Sequence, residues 1–228
     1  PRTVYVGHPL IERLSDLRPD AEEAAIRADT TAPRVLILPG SRGSEVRHLM
    51  PVFGEAVARI AAAKPGTRFV LPAVPHLQAE IAQAASRWPV RPEIVVGADG
   101  KLAAFRKARA ALAASGTVTL ELALAQVPTV AAYRGAGWEA AIARRLIKLP
   151  SVILPNLILG RSVVPEFLQD DATAEALSGH LLAVLAEGPD RAGQLDGFAE
   201  VEAIMKSAGA SPAANAVEAA LALLEMRS

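Results

Sequence analysis

The chain has 228 residues, enough for one large domain, or one domain with an appendage, around a substantial core. Lys plus Arg and Asp plus Glu both number 24, so the formal net charge is zero, no strong field argues for nucleic acid, and any anion site must be local. There is no cysteine, the four histidines (His8, His48, His76, His180) are scattered, and no apolar run approaches the roughly twenty residues of a spanning helix; disulfides, thiolate chemistry, a metal site made by this chain alone and a membrane span are all disfavoured.

Thr3 to Val6 is a short β-prone run ended by Gly7, and Pro9 forces an extended backbone just before it, so Val6 to Leu10 reads as a joint. The opening has neither the basic start nor the apolar core of a signal peptide, and the chain is expected to begin within a longer protein. From Asp20 to Ala28 the pattern is helical, with Asp20 able to cap and Glu22 and Glu23 in the first turn.

Val35 to Leu38 is an apolar run of strand length, stopped by Pro39 and Gly40; Ser41 and Arg42 then lead into a helix from about Ser44 to Ala63. Val46, Leu49, Met50, Phe53, Val57 and Ile60 share one face of it, and Pro51 predicts a kink or a short first turn. The alternation continues with a strand at Phe69–Leu71, a helix over about 75–86, a strand at Ile94–Val96 and a short helix near Lys101–Lys107. Ala110–Ala113 is a weak strand by propensity, but its place between two helices argues for a buried parallel one. Ser115-Gly116-Thr117 opens a helix to Ala125, Thr129–Tyr133 is a strand, and 137–147 is helical. Strands and helices alternating at this spacing predict right-handed βαβ units, hence an α/β, doubly wound parallel sheet of the Rossmann-like kind. Residues 149–170 carry three prolines and no helical period, yet are too apolar for a solvated linker; they read as an ordered loop across the strand ends. Helices are predicted over about 174–187, 189–206 and 212–226, with Thr173 and Ser211-Pro212 as good starts.

In open parallel sheets ligands bind beyond the carboxyl ends of the strands. Three segments there carry suitable groups: the turn with Gly40, Ser41, Arg42 and Glu45; the small-residue turn Ser115-Gly116-Thr117 with Glu121 about one helical turn further on; and the irregular loop with Asn156, Arg161, Glu166 and Gln169. Two such helix starts suit a diphosphate, since each offers N–H donors while Gly allows close approach. Arg42 adds a charged, two-pronged donor. A carboxylate at Glu121 suits a ribose diol, which offers two O–H donors. Plainer roles fit the same residues: capping for Ser115 and Thr117, a solvated first-turn acid for Glu121, a turn residue for Asn156, and a surface pair for Arg161 and Glu166.

Taken in order, Val6-Gly7-His8-Pro9-Leu10, then LPGSRGSEV, ASGTVTLELAL, VPTVAAYR and LPNLILGRSVVPEFLQDDAT resemble the carboxyl-terminal half of the lipid-A-disaccharide synthases, from about Val4 to the end. The resemblance implies one half of a GT-B fold, with residues 1–30 as joint and lead-in helix, 31–187 as the nucleotide-sugar-binding domain and 188–228 as carboxyl-terminal helices. It implies a metal-independent, inverting glycosyltransferase without a cofactor. That enzyme moves 2,3-diacylglucosamine from UDP onto 2,3-diacylglucosamine 1-phosphate, making a β-1,6 disaccharide and releasing UDP. By the same resemblance Arg42, Asn156 and Gln169 act in catalysis: Arg42 neutralises charge on departing UDP, and Asn156 and Gln169 orient the donor sugar or its phosphates. Gly40, Ser41, Ser115, Gly116, Thr117 and Glu121, with Arg42 and Asn156, bind the UDP-sugar.

The acceptor site and catalytic base are expected in an amino-terminal domain that these residues do not include, so this chain alone should not turn over. The expected partners are the UDP-sugar and, through that domain, a lipid acceptor. The expected location is the bacterial cytoplasm at the inner membrane, with a patch of Leu221, Leu223 and Leu224 suited to homodimer formation. A non-catalytic nucleotide-binding module, or another GT-B enzyme such as a UDP-N-acetylglucosamine 2-epimerase, are the alternatives.

Overall fold

The computed structural model describes residues 6–135, 151–206 and 211–225. A 3-10 turn at Pro9–Arg13 runs into one helical turn, α1 (Leu14–Leu17), followed by α2 (Ala21–Ala28). Asp20 caps α2 as the sequence suggests: its carboxylate accepts from the Glu23 N–H at 2.8 Å, and Glu23 accepts from the Asp20 N–H at 3.3 Å. Then come β1 (Arg34–Leu38), α3 (Gly43–Ala63), β2 (Arg68–Ala73), α4 (Gln78–Ala85), β3 (Glu93–Val96), α5 (Ala98–Lys107), β4 (Ala110–Ala114), α6 (Val118–Leu124) and β5 (Thr129–Tyr133). Beyond them lie α7 (Leu154–Leu159), β6 (Glu166–Leu168), α8 (Ala174–Leu185), α9 (Pro189–Met205) and α10 (Pro212–Glu225). The helix expected over 137–147 and most of the strand expected at Thr3–Val6 lie outside the described residues.

The six strands pair in parallel in the order β3-β2-β1-β4-β5-β6. The chain steps outward from β1 to β2 and β3, then returns to the far side of β1 for the rest. Winding therefore reverses between β1 and β4, and the helices that come after these two strands diverge onto opposite faces. Alternate residues of β1 serve the two faces. Val35 and Ile37 are buried with Phe53, Ile60, Leu71, Leu112, Leu177 and Leu181 under α3, α4 and α8. Leu36 and Leu38 are buried with Val70, Phe105, Leu120, Leu124 and Val201 under α5, α6 and α9. β4, Ala-Ala-Leu-Ala-Ala, is buried throughout: its neighbours on both edges override the poor strand propensity of alanine.

Two local expectations change. The stretch 149–170 is not all loop, since it holds α7 and the edge strand β6. α7 has six residues, too few to show a period. Its Pro155 falls in the first turn, where proline is tolerated, and Gly160 ends it in the left-handed conformation at φ +63°. β6 is three half-buried residues with no alternation to read. α3 runs as one element through Pro51, which lies on its exposed side where solvent can serve the carbonyl left without an N–H.

At the amino ends of the strands three arginines tie helix ends together. Arg109, just before β4 and 1% exposed, donates to the carbonyls of Leu185, Arg27 and Ala28 and to Glu187 Oε1. Arg27 donates to the carbonyls of Phe105, Arg106 and Ala125 at 2.8 to 2.9 Å, and Arg191 to those of Arg109 and Val184. These acceptors include carbonyls left over at the carboxyl ends of α2, α5, α6 and α8, where a positive charge also suits the helix dipole. Burial pulls the Arg27 guanidinium down to about 10. Beside them the Gln194 amide pairs with both the N–H and the C=O of Thr129, anchoring α9 to the start of β5. Among the described residues no buried side-chain polar atom lacks a partner.

Candidate functional site

At the opposite end of the sheet, where the winding reverses, the turns after β1, β2, β3 and β4 surround a cleft of about 570 Å³. Its walls are Leu38 at the end of β1, Gly40, Ser41, Arg42 and Glu45 from the first turn and α3, and Pro72 to Pro75 from the end of β2 and the turn beyond it. Gly97, Ala98 and Lys101 come from the start of α5, and Ala114 to Val118 with Glu121 from the second turn and α6. Gly40, Ser41, Arg42, Ser115, Gly116, Thr117 and Glu121 thus meet in one place, as the sequence predicts.

The first turn is closed by its own acid. Glu45 Oε2 accepts from the backbone N–H of Ser41 at 3.1 Å and of Arg42 at 3.3 Å, while Oε1 accepts from Arg42 Nη1 at 3.0 Å. Two of the donors expected for a ligand are therefore taken up within the turn. Gly40 makes this possible: its φ is +109°, and a Cβ there would lie 2.7 Å from Glu45 Cβ. The Arg42 side chain is 79% exposed, so its pairing with Glu45 is weak, about 0 to 1 kcal/mol, and the guanidinium is available to another anion.

The second turn is more open. The backbone N–H groups of Gly116, Thr117 and Val118 have no partner among the described residues, and nothing lies within 4 Å of a Cβ placed on Gly116. The Thr117 hydroxyl does not cap α6, so the capping role open to it in the sequence is not the one it plays. Ser115 donates to Glu166 Oε1 at 3.2 Å, and Glu166 Oε2 accepts from the Ser151 hydroxyl at 2.8 Å and the Val152 N–H at 3.2 Å. Glu166 is thereby tied to Ser115 rather than to Arg161, which pairs with Glu200 at 2.5 Å. Glu121 receives Lys101 Nζ at 2.5 Å.

Two predicted residues do not line the cleft. Asn156 is 3% exposed, and its amide is spent on the connection into β6: Oδ1 accepts from the Val163 and Val164 N–H groups, and Nδ2 donates to the Val164 carbonyl, each at 2.9 Å. These bonds shape the connection into β6. Gln169 sits at the carboxyl end of β6 with φ +55°, its side-chain oxygen accepting from the Gly135 N–H at 3.4 Å. Conversely, Lys101, Gly97 and the Pro72–Pro75 turn line the cleft although no sequence signal marks them. The carboxyl-end rule points to the turns after β2 and β3 as much as to those after β1 and β4, but 72–75 carries no polar side chain. Lys101, placed at a helix start by propensity, in fact lies inside a first turn that begins at Ala98. No cluster of three or more His, Cys, Asp or Glu side chains suited to a metal ion occurs among the described residues, and no helix there is long and apolar enough to cross a membrane.

Solved structures of the same fold define the class. The carboxyl-terminal domain of a glycosyl transferase group 1 family protein (LpcC) from Francisella tularensis superposes with a TM-score of 0.53 at 13% identity, over 82% of this chain and 94% of that one. WaaG, a glycosyltransferase involved in lipopolysaccharide biosynthesis, gives 0.52 at 15% identity, over 82% of this chain and 49% of that one. The architecture is one Rossmann-like half of a GT-B fold. Sequence then narrows the class: residues 2–220 match the lipid-A-disaccharide synthetase family, and the chain belongs to it. It is 51% identical over 224 residues to the lipid-A-disaccharide synthase of Rhodopseudomonas palustris (strain BisB18), covering 98% of this chain and 56% of that protein. The chain spans about half the length of the curated relatives it matches.

Proposed function

We propose that this chain is the donor half of a lipid-A-disaccharide synthase. It binds UDP-2,3-diacylglucosamine for inverting, metal-independent transfer of the sugar to 2,3-diacylglucosamine 1-phosphate. The supporting observation is the convergence of Arg42, the unpaired N–H groups of Gly116 to Val118, and Glu121 on one cleft at the winding reversal, in a chain of that family.

In this reading the diphosphate lies between the two turns. As the bond from the sugar's anomeric carbon to the phosphate oxygen breaks, negative charge grows on UDP. Arg42 exchanges its exposed pairing with Glu45 for that charge, and the second turn adds neutral donors already in position. Glu121 accepts from the ribose. Gln169, at the same end of the sheet, meets the sugar, and Asn156 contributes only through the connection it ties down. Acceptor and catalytic base come from the rest of the protein, so this chain alone binds without turning over. The whole enzyme works in the cytoplasm at the inner membrane; the exposed Val217 and Leu221 of α10 support self-association as a homodimer. The family match favours this reading over a 2-epimerase or a non-catalytic nucleotide module.

Calorimetric titration of UDP into the chain, without metal, tests the reading. Saturable binding is expected, weakened about 10- to 100-fold by Arg42→Ala and by Glu121→Ala. A folded chain that binds no UDP rejects it.

A further inference from the structure

Two side chains from different crossovers, twenty residues apart, hold each other at the wall of the cleft: Lys101 Nζ lies 2.5 Å from Glu121 Oε2. The lysine is fixed along its length. Its backbone N–H bonds the Gly97 carbonyl at 3.1 Å, and its ammonium stands 5.2 Å from the centroid of the buried Phe105 ring. Both side chains are mostly covered, at 36% and 25% exposure. Both also line a second cavity of about 100 Å³, where Leu10, Leu17, Leu102 and Phe105 supply apolar walls and the paired Arg13 and Asp16 supply charge. The pair thus stands between the cleft and a smaller, partly apolar cavity against the lead-in segment.

This position decides what Glu121 can recognise. A carboxylate only accepts hydrogen bonds, and an uncompensated one facing a diphosphate would repel it. Lys101 neutralises the charge, occupies Oε2 and restricts the side chain, while Oε1 has no partner among the described residues. An acceptor held in that way selects a hydroxyl and not a phosphate oxygen.

We infer that Lys101 is a positioning residue for sugar recognition within the nucleotide. By holding Glu121 it turns the free carboxylate oxygen into an acceptor for a ribose hydroxyl, and so makes the cleft select ribonucleotides over deoxynucleotides. The inference rests on the reading of the cleft as a uridine-nucleotide site. A purely structural pair would move stability without touching this selection, and a lysine that contacts phosphate would weaken all the nucleotides alike.

The test is a titration of UDP, 2′-deoxy-UDP and 3′-deoxy-UDP into the wild-type chain, Lys101→Met and Glu121→Gln, each checked for folding by circular dichroism. Wild type should prefer UDP over at least one deoxynucleotide by about tenfold, a hydrogen bond to a charged group. Lys101→Met should lose most of that preference, and Glu121→Gln should as well. Lys101→Gln, which keeps a donor without the charge, serves if the methionine variant does not fold, and should keep only part of the preference. A preference unchanged in the lysine variants, or an equal loss for all three nucleotides, overturns the role of Lys101 and leaves the UDP site standing. A folded wild-type chain that binds no UDP overturns the underlying reading and this inference with it.

Discussion

The two ends of the parallel sheet use the same residue types for opposite purposes. At the amino end Arg109 is 1% exposed and its guanidinium reaches three backbone carbonyls and Glu187. At the carboxyl end the Arg42 side chain is 79% exposed and holds one carboxylate, three residues away. At the amino end Arg27, Arg109 and Arg191 commit their donors to backbone carbonyls, most of them at helix ends, and to Glu187. The other end keeps donors uncommitted at Gly116 to Val118 and holds Arg42 by a bond that is easily exchanged. Stability and binding are therefore separated along the strand axis, and substitutions at the two ends should separate them too.

The sharpest break is between these arginines. Arg109→Ala leaves the buried carbonyl of Leu185 and the partly buried ones of Arg27 and Ala28 without this donor and opens a gap, and should cost about 3 to 5 kcal/mol in chemical denaturation. Arg42→Ala should leave that unfolding curve within about 0.5 kcal/mol of wild type while cutting UDP affinity about 10- to 100-fold. If Arg109→Ala unfolds with the wild-type curve, or if Arg42→Ala destabilises as much as it does, the division of labour is wrong.

A smaller effect crosses the division. Gly40 lines the cleft, yet its constraint is structural: φ +109° with Glu45 directly over the missing side chain. Gly40→Ala should cost about 1 to 3 kcal/mol, because the backbone strain and the displaced Glu45 act together. It should also weaken UDP, since Glu45 closes the turn that presents Arg42. Stability and affinity measured on the same preparation would show both changes at Gly40 and one alone at Arg42.

How far this division can be read from the chain depends on what each end is made of. The strands announce themselves as apolar runs, and the turns after β1 and β4 as small residues at helix starts, so the sheet and seven cleft residues are legible. Lys101 is not, because one lysine near a helix start looks like any other until the neighbouring crossover brings Glu121 beside it. Asn156 has a structural part that is illegible for the converse reason. A polar residue in a family motif reads as a ligand contact, and only the closed ring of bonds to Val163 and Val164 shows it spent on the backbone. The arginines of the amino end are illegible altogether: nothing in the sequence around Arg27, Arg109 or Arg191 marks them as buried, since their partners are carbonyls, which every residue carries.

The smallest expected effect is a pH dependence that belongs to the amino end and to α2. The hydrogen bond from Arg106 to Glu23, 2.6 Å long, holds the Glu23 carboxyl below its usual value of 4.5, against the opposing effect of burial. The hydrogen bond from Arg109 does the same for the exposed Glu187. A carboxyl whose value is lower in the folded chain than in the unfolded one contributes stability that is complete above about pH 4.5. As the pH falls below that, the unfolded chain takes up protons first and the contribution is lost. Denaturation midpoints should therefore decline as pH is lowered from about 4.5, and Glu23→Gln, which cannot titrate, should start lower and decline less steeply. UDP affinity corrected for the folded fraction should not show the same difference between wild type and Glu23→Gln, because Glu23 is not part of the cleft lining. A parallel change in affinity would mean that the two ends of the sheet are coupled, and that the separation holds for static contacts but not for the energetics of binding.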